Sequence, residues 1–291
     1  MKKAFVLSIV ALLLTLAGCA GGSSATPTPT PTPTPPSAPA AGTDVTDEAP
    51  PLAGDALPAE VQAIADRGVL RVGVKVDVPQ FGYLNPDTNE QEGMEADLAR
   101  ELARRIVGDE SAVEFQAVTA KTRGPLLDNE EVDMVIATFT ITEERKLSYN
   151  FTQPYFVDGI GFLVKRDLGA LTIADLDGKT VAVAQSATTK DALDEKAAEL
   201  GITFQYSEYA SYPEAKTALT SGRVDAFSVD KSILLGYVDD TTVILEETFK
   251  PQEYGIASKL DKTELAAYLD DFISEIKTDG TLDALVEKWA L

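Results

Sequence analysis

Apolar positions along this chain change their period from block to block, and the blocks predict an alternation of strands and helices. An apolar run, 4–16, is followed by a Gly, Ser, Thr, Pro and Ala stretch from 20 to about 57. The spacing over 58–66 then predicts a short amphipathic helix ending near Gly68, with proline tolerated in its first turn. Residues 69–76 are valine-rich and read as a strand, and 82–93, with Asn85, Pro86, Asp87 and Asn89, read as a polar turn region. Leu98, Leu102 and Ile106 recur at helical spacing over 95–106. A strand at 113–118, a short helix from 123 and an apolar strand at 132–137 complete a first α/β set with a largely parallel sheet expected.

The pattern restarts with strands at 162–165, 180–184, 203–206 and 226–229, separated by helical stretches at 173–176, 188–200 and 213–221. Short extended pieces at 243–245 and 254–257 precede two closing helices, 262–277 and 282–289. Two α/β halves joined by extended segments near 158–165 and 246–256 predict two lobes flanking a cleft, with the last helices returning to the first lobe. The expected division is a signal peptide at 1–18, a lipidated cysteine and linker at 19–56, one lobe from 57–160 plus 250–291, and a second from 161–249.

The leader adds a location. Met1-Lys2-Lys3 is basic, and the apolar run after it is shorter than the roughly 20 residues a membrane span needs. Leu16-Ala17-Gly18-Cys19 then reads as a lipobox, with cleavage before Cys19 and a lipid (palmitate) on its sulfur; an ordinary signal peptide that happens to hold a cysteine is the alternative. The expected place is the outer face of the cell membrane, on the extracellular side of a Gram-positive envelope. The Thr-Pro repeat over 26–36 excludes helix and sheet and favours a semi-rigid polyproline spacer, about 3.1 Å per residue.

Composition narrows the chemistry. Roughly 235 residues remain for folding, enough for two lobes with real cores. One cysteine allows no intramolecular disulfide, and the absence of histidine removes the commonest general base and zinc ligand. The net charge is -22, made more negative by two when Lys2 and Lys3 are lost, which disfavours nucleic acid. No cofactor is expected, and the domain is expected to be monomeric.

The folded portion, 68–291, resembles the extracellular solute-binding proteins of polar amino acid ABC transporters, the bacterial family 3 type. The resemblance rests on seven strings in family order: Arg71-Val72-Gly73-Val74-Lys75-Val76-Asp77, Gly93-Met94-Glu95-Ala96-Asp97-Leu98-Ala99, Thr140-Ile141-Thr142-Glu143-Glu144-Arg145, Asn150-Phe151-Thr152-Gln153-Pro154-Tyr155, Val224-Asp225-Ala226-Phe227-Ser228-Val229-Asp230, Glu253-Tyr254-Gly255-Ile256 and Asp279-Gly280-Thr281-Leu282. Met94 and Glu95 stand where the family usually carries phenylalanine and aspartate. The stretch from Val118 to Asn129 and Asp230-Lys231-Ser232-Ile233-Leu234-Leu235-Gly236-Tyr237 are similar to the branch that binds aspartate and glutamate. The resemblance implies a type II periplasmic-binding-protein-like fold, two α/β lobes with a two-strand hinge, that captures L-aspartate or L-glutamate by lobe closure and hands it to an ABC permease while the membrane holds it through the lipid anchor.

An amino acid zwitterion needs donors for its carboxylate and an acceptor for its ammonium. Arg145 offers a bidentate fork, and Thr138 and Thr140 sit at a predicted strand mouth. By resemblance Arg145 and Thr140 hold the α-carboxylate, although Arg145 also reads as a surface helix residue beside Glu143 and Glu144. Asp230 ends a strand, facing the crevice where α/β proteins bind ligands, and by family role pairs the ammonium; a capping aspartate is the alternative. Lys75 and Arg123 would face a distal side-chain carboxylate by resemblance, or else are solvated strand-end and surface residues. Phe81, with Tyr83, either walls the ligand's methylenes or anchors the loop. Tyr212 is a phenol donor by family position. Thr189, with Ser186 and Thr188, either donates to a carboxylate or only caps a helix. Asp133 and Asp225 read as structural turns.

Glutamine or another polar amino acid is the alternative cargo; a dehydratase-like enzyme on the same scaffold and an adhesive lipoprotein are more distant readings.

Overall fold

The computed structural model describes residues 56–291, so the leader, Cys19 and the Thr-Pro repeat lie outside the described residues. Helix α1 (Ala59–Arg67) stops at Gly68, whose left-handed backbone (φ 74°) lets its N–H return to the Ala65 carbonyl. Strand β1 (Leu70–Val74) leads into three short antiparallel strands, β2 (Asp77–Val78), β3 (Gly82–Leu84) and β4 (Gln91–Glu92), where the turn residues had predicted no strand. Helix α2 (Met94–Val107) starts at Gly93, at φ 117°. A Cβ there would lie 2.1 Å from the Phe81 carbonyl oxygen, so only glycine lets α2 begin this close to β3. Leu98, Leu102 and Ile106 fill the buried face of α2, as their spacing predicts.

Strand β5 (Val113–Ala117), α3 (Arg123–Asp128), β6 (Met134–Ile136), α4 (Glu143–Lys146) and β7 (Tyr149–Phe151) follow, and then the long β8 (Phe156–Lys165) crosses to the second lobe. There the chain forms two 3₁₀ turns, β9 (Thr180–Ala184), α5 (Thr189–Leu200), β10 (Gln205–Tyr209), α6 (Tyr212–Thr220), β11 (Ala226–Asp230), α7 (Lys231–Leu235) and β12 (Thr242–Ile244). Ser211 and Glu214 form a reciprocal capping box at the start of α6. Strand β13 (Phe249–Tyr254) returns, β14 (Ala257–Lys259) rejoins the first sheet, and α8 (Thr263–Thr278) and α9 (Thr281–Lys288) pack on that lobe against α1, α2, β7 and β14, as expected.

The first sheet runs β5-β1-β6-β14-β7 and the second β10-β9-β11-β8-β12, with β13 also on β8. Both are mixed. Strand β1 is parallel to β5 and β6, and β9 to β10 and β11, but the strands that carry the crossings, β8 and β13, and β14 beyond them run antiparallel to their neighbours. The expectation of largely parallel sheets therefore holds only for the βαβ units; a strand arriving from the other lobe has no crossover helix to set its direction. Strands β8 and β13 pair with each other from Phe156↔Tyr254 to Ile160↔Phe249. The expected lobe limits at 160/161 and 249/250 thus fall inside these paired strands. Lys250, at φ 50°, marks a bulge in β13. One hydrophobic cluster runs from Leu98 through Phe81, Tyr155 and Tyr254 to Phe227 and Ala215, so the lobes are packed upon each other.

Candidate functional site

The carboxyl ends of β1, β6, β9 and β11 converge between the lobes, and the side chains beyond them form the site. From the first lobe come Lys75 and Asp77 after β1, Arg123 at the start of α3, and Thr138, Phe139, Thr140 and Arg145 after β6. From the second come Ser186 and Thr189 after β9, Tyr212 at the start of α6, and Asp230 at the end of β11. Lys75, Arg123, Thr138, Thr140, Thr189, Tyr212 and Asp230 are all buried, and Arg145 is half-buried.

Thr138 adopts a left-handed backbone (φ 44°) that turns the chain sharply out of β6. Its N–H donates to Glu95 Oε1 at 2.5 Å, and Arg123 Nη1 donates to the carbonyls of Ala137 and Thr138 at 2.7 and 3.0 Å. The turn points the Phe139 ring between two guanidinium groups, Arg123 at 3.9 Å and Arg145 at 4.9 Å from its centroid. Arg145 is held by its own segment: Nη1 donates to the Thr140 carbonyl at 2.7 Å, and its N–H to the capping Thr142 Oγ1. Its Nη2 reaches across the cleft to the Ser186 carbonyl at 3.2 Å. A cavity of about 720 Å³ opens here, between Thr140 and Arg145 on one side and Ser186, Thr188 and Gln252 on the other.

Deeper in the cleft, Lys75 Nζ lies 2.9 Å from Asp77 Oδ1 and 4.5 Å from the Tyr212 ring centroid. Asp77 Oδ2 accepts from the Tyr212 N–H at 3.4 Å and the Asp77 carbonyl accepts from the Tyr237 hydroxyl, so this short segment of the first lobe is gripped by the second. Asp230 accepts from the Tyr254 hydroxyl. Two buried atoms of the cleft, Arg123 Nε and Thr138 Oγ1, have no hydrogen-bond partner among the described residues, while Asp77 Oδ1 meets Lys75 Nζ. Buried polar groups are otherwise nearly always paired, so these two leave hydrogen-bonding capacity open in the cleft.

Burial dominates the electrostatics. It raises Asp230 to about 7, with Asp158 adding and the Tyr254 hydroxyl opposing. It raises Glu95 to about 7 as well, against hydrogen bonds from Tyr155 and Thr138 and the charges of Lys75 and Arg123. Burial also lowers Lys75, Arg123 and Arg145, the last to about 9 with the charge of Arg123 adding, so Arg145 stays charged at neutral pH.

The structure brings Lys75, Arg123, Thr138, Thr140, Arg145, Tyr212 and Asp230 together between the lobes, Lys75, Thr138, Thr140 and Asp230 at strand ends as expected; Thr189 is buried at the start of α5, and its neighbour Thr188 lines the cavity. Two expectations change in detail. The cations meant for a distal carboxylate are already engaged, Lys75 by Asp77 and Arg123 by backbone carbonyls. Phe81 packs edge-on against Phe156 and Tyr254, at 5.2 and 5.8 Å, and takes the anchoring role, while Tyr83 sits half-buried in β3. Asp133 is structural, as expected, pairing with Arg67 and Arg71. Sequence reasoning missed Asp77, Glu95, Phe139 and Tyr254. Asp77 stands two residues from Lys75 and Phe139 between two candidate threonines, signals that were present; Glu95 and Tyr254 lay unexplained within the quoted strings. Among the described residues no group of His, Cys, Asp or Glu is arranged to hold a metal ion, and no helix is long and apolar enough to cross a membrane.

The sequence pattern of the bacterial extracellular solute-binding proteins, family 3, matches residues 70–291. The chain is 37% identical over 230 residues to the ABC transporter glutamine-binding protein GlnH of Bacillus subtilis, covering 78% of this chain and 83% of that one. It is 38% identical over 257 residues to the glutamine-binding protein of Geobacillus stearothermophilus, covering 87% and 90%. An ancestral arginine-binding protein bound to arginine superposes with a TM-score of 0.69 at 34% identity, over 77% of this chain and 98% of that one.

Proposed function

The chain belongs to the bacterial extracellular solute-binding proteins, family 3, and from that premise we propose that it is the amino-acid receptor of an ABC transporter, with glutamine as its ligand. The observation that carries the choice of cargo is the Lys75–Asp77 pair. Arg145 and the donors around Thr140 suit an α-carboxylate, and Asp230 suits an α-ammonium. At the distal end stand one donor and one acceptor, which match the oxygen and the N–H₂ of a carboxamide. A neutral side chain adds no charge beside Asp77, whereas glutamate would bring a carboxylate against it. The two glutamine-binding relatives support the same cargo. This reading replaces the acidic ligand implied by the sequence resemblance with the alternative kept beside it.

Calorimetric titration of the purified protein tests the proposal. Glutamine is expected to bind at least about tenfold more tightly than glutamate, a difference of one mispaired buried group. Asp77→Asn is expected to weaken glutamine by about tenfold and narrow its lead over glutamate. Tighter binding of aspartate or glutamate by the parent protein would sink the amide reading.

Location is part of the same proposal and rests on the leader sequence: Cys19 carries a lipid that tethers the receptor to the outer face of the membrane, and the Thr-Pro repeat spaces it from the surface. Cys19→Ser is expected to release the protein from the membrane fraction into the medium. Full retention of that variant on cells would remove the anchor.

A further inference from the structure

We propose that Glu95 is a positioning residue for ligand capture, holding the Thr138–Phe139–Thr140 turn in its ligand-binding form from beneath the cleft. The inference rests on the reading that this turn and Arg145 receive the ligand, but not on which amino acid binds. Glu95 is fully buried at the start of α2, where Gly93 lets the helix begin tight against β3 and the Glu95 N–H bonds the Phe81 carbonyl at 2.9 Å. From there Oε1 takes two donors, the Thr138 N–H at 2.5 Å and the Tyr155 hydroxyl at 2.6 Å. Arg123 grips the same turn from the other side through the Ala137 and Thr138 carbonyls. A threonine at φ 44° does not hold that conformation by preference, and the two opposed charged grips supply what its side chain does not. What they fix is the direction of Phe139 and the Thr140 carbonyl, and so the place of the Arg145 fork, which hangs on that carbonyl and on the Phe139 face.

Glu95 is not among the residues lining the 720 Å³ cavity, its Oε2 has no partner among the described residues, and its hydrogen bond to the candidate site is the one from the Thr138 N–H. The charged and titratable groups facing it are Lys75 beyond β1, Arg123 on α3 and Tyr155 before β8. Lys75 and Arg123 favour the ionised form and burial the protonated one, and the balance near neutrality makes the grip on Thr138 respond to pH.

The test follows the Thr138 amide proton by NMR in the purified protein, together with glutamine affinity in Glu95→Gln and Glu95→Ala. In the parent the Thr138 amide is expected to resonate far downfield and to move with a midpoint near pH 7. Glu95→Gln keeps an acceptor and is expected to bind within about threefold of the parent at pH 8, with the pH movement of the Thr138 amide gone. Glu95→Ala loses the acceptor and is expected to weaken binding by about tenfold or more. A Thr138 amide indifferent to pH in the parent, or titrating unchanged in Glu95→Gln, overturns the proposal, as does a folded Glu95→Ala protein of parental affinity. If Glu95→Ala fails to fold, the Glu95→Gln spectrum decides. If the parent binds no amino acid, the receptor reading falls, while the amide titration still judges the link between Glu95 and Thr138.

Discussion

Replacing Arg145 by alanine is expected to remove most of the affinity for an amino acid while leaving the fold intact. A closed cleft withdraws the α-carboxylate from water, and a buried charge without its partner costs several kcal/mol. Truncating one side of such a hydrogen-bonded pair costs about 2–5 kcal/mol, a loss of about thirtyfold to several thousandfold. Here the loss is expected near the upper end, because Arg145 serves two purposes. It supplies the fork, and its Nη2 spans the cleft to the Ser186 carbonyl, so its removal weakens both the ligand contact and a link between closed lobes. Lysine is not expected to rescue the variant, since a single ammonium cannot hold Thr140, Ser186 and a bidentate carboxylate together. The Arg145 side chain is half-buried and fills no core position, so far-UV circular dichroism is expected to be unchanged. Titration calorimetry reading an affinity within about tenfold of the parent would show that the carboxylate is held elsewhere.

Affinity is expected to fall about fiftyfold between pH 7 and pH 5 and to level off above pH 8. Asp230 must be ionised to hold an ammonium, and burial has raised it from 3.8 to about 7. Below that value each pH unit costs the ligand up to about a tenfold loss, because it must first displace a proton. Binding at pH 6 is therefore expected to release protons, measurable as a dependence of the calorimetric heat on the ionisation enthalpy of the buffer. Asp230→Asn is expected to flatten the pH dependence at a low plateau. Stability of the unliganded protein runs in the opposite direction. A raised carboxyl favours the folded state at low pH, where both states are protonated; that contribution is lost as pH rises from about 4 through about 7. Thermal melts of the parent and Asp230→Asn are thus expected to diverge as pH rises, with the parent falling relative to the variant. A pH-independent affinity in the parent protein would mean that Asp230 is not the ammonium's partner.

Much of this was legible from the chain alone. Strands β1, β9 and β11 announce themselves as short valine- and alanine-rich runs, and α2 by the spacing of Leu98, Leu102 and Ile106, because their burial is dictated by one face or by two covered faces. Strand ends then located Lys75, Thr138 and Asp230. Strand β13 was legible only as an extended joining segment near 246–256; Lys250, Pro251, Gln252 and Glu253 show no apolar alternation, and its place beside β8 comes from pairing, not from its own side chains. The three short strands between Asp77 and Glu92 were hidden by turn residues for the same reason. Among the site residues, the pairing of Asp77 with Lys75 was invisible because it depends on a tight turn after β1 and on α6 arriving from 135 residues away. Glu95 lies 43 residues from Thr138, and nothing near it in sequence shows that the amide it accepts from belongs to residue 138.

The two crossings of the chain lie hydrogen-bonded side by side over Phe156–Ile160 and Phe249–Tyr254. Such a ribbon resists sliding and splaying, since either breaks several ladder bonds at once, yet it bends and twists with little loss. The lobes thus have few soft degrees of freedom, and opening runs along a narrow track instead of a broad tumbling search. For a receptor that meets its ligand at random, the expected consequence is kinetic: a ligand taken up by one lobe would be met by the other along that single track.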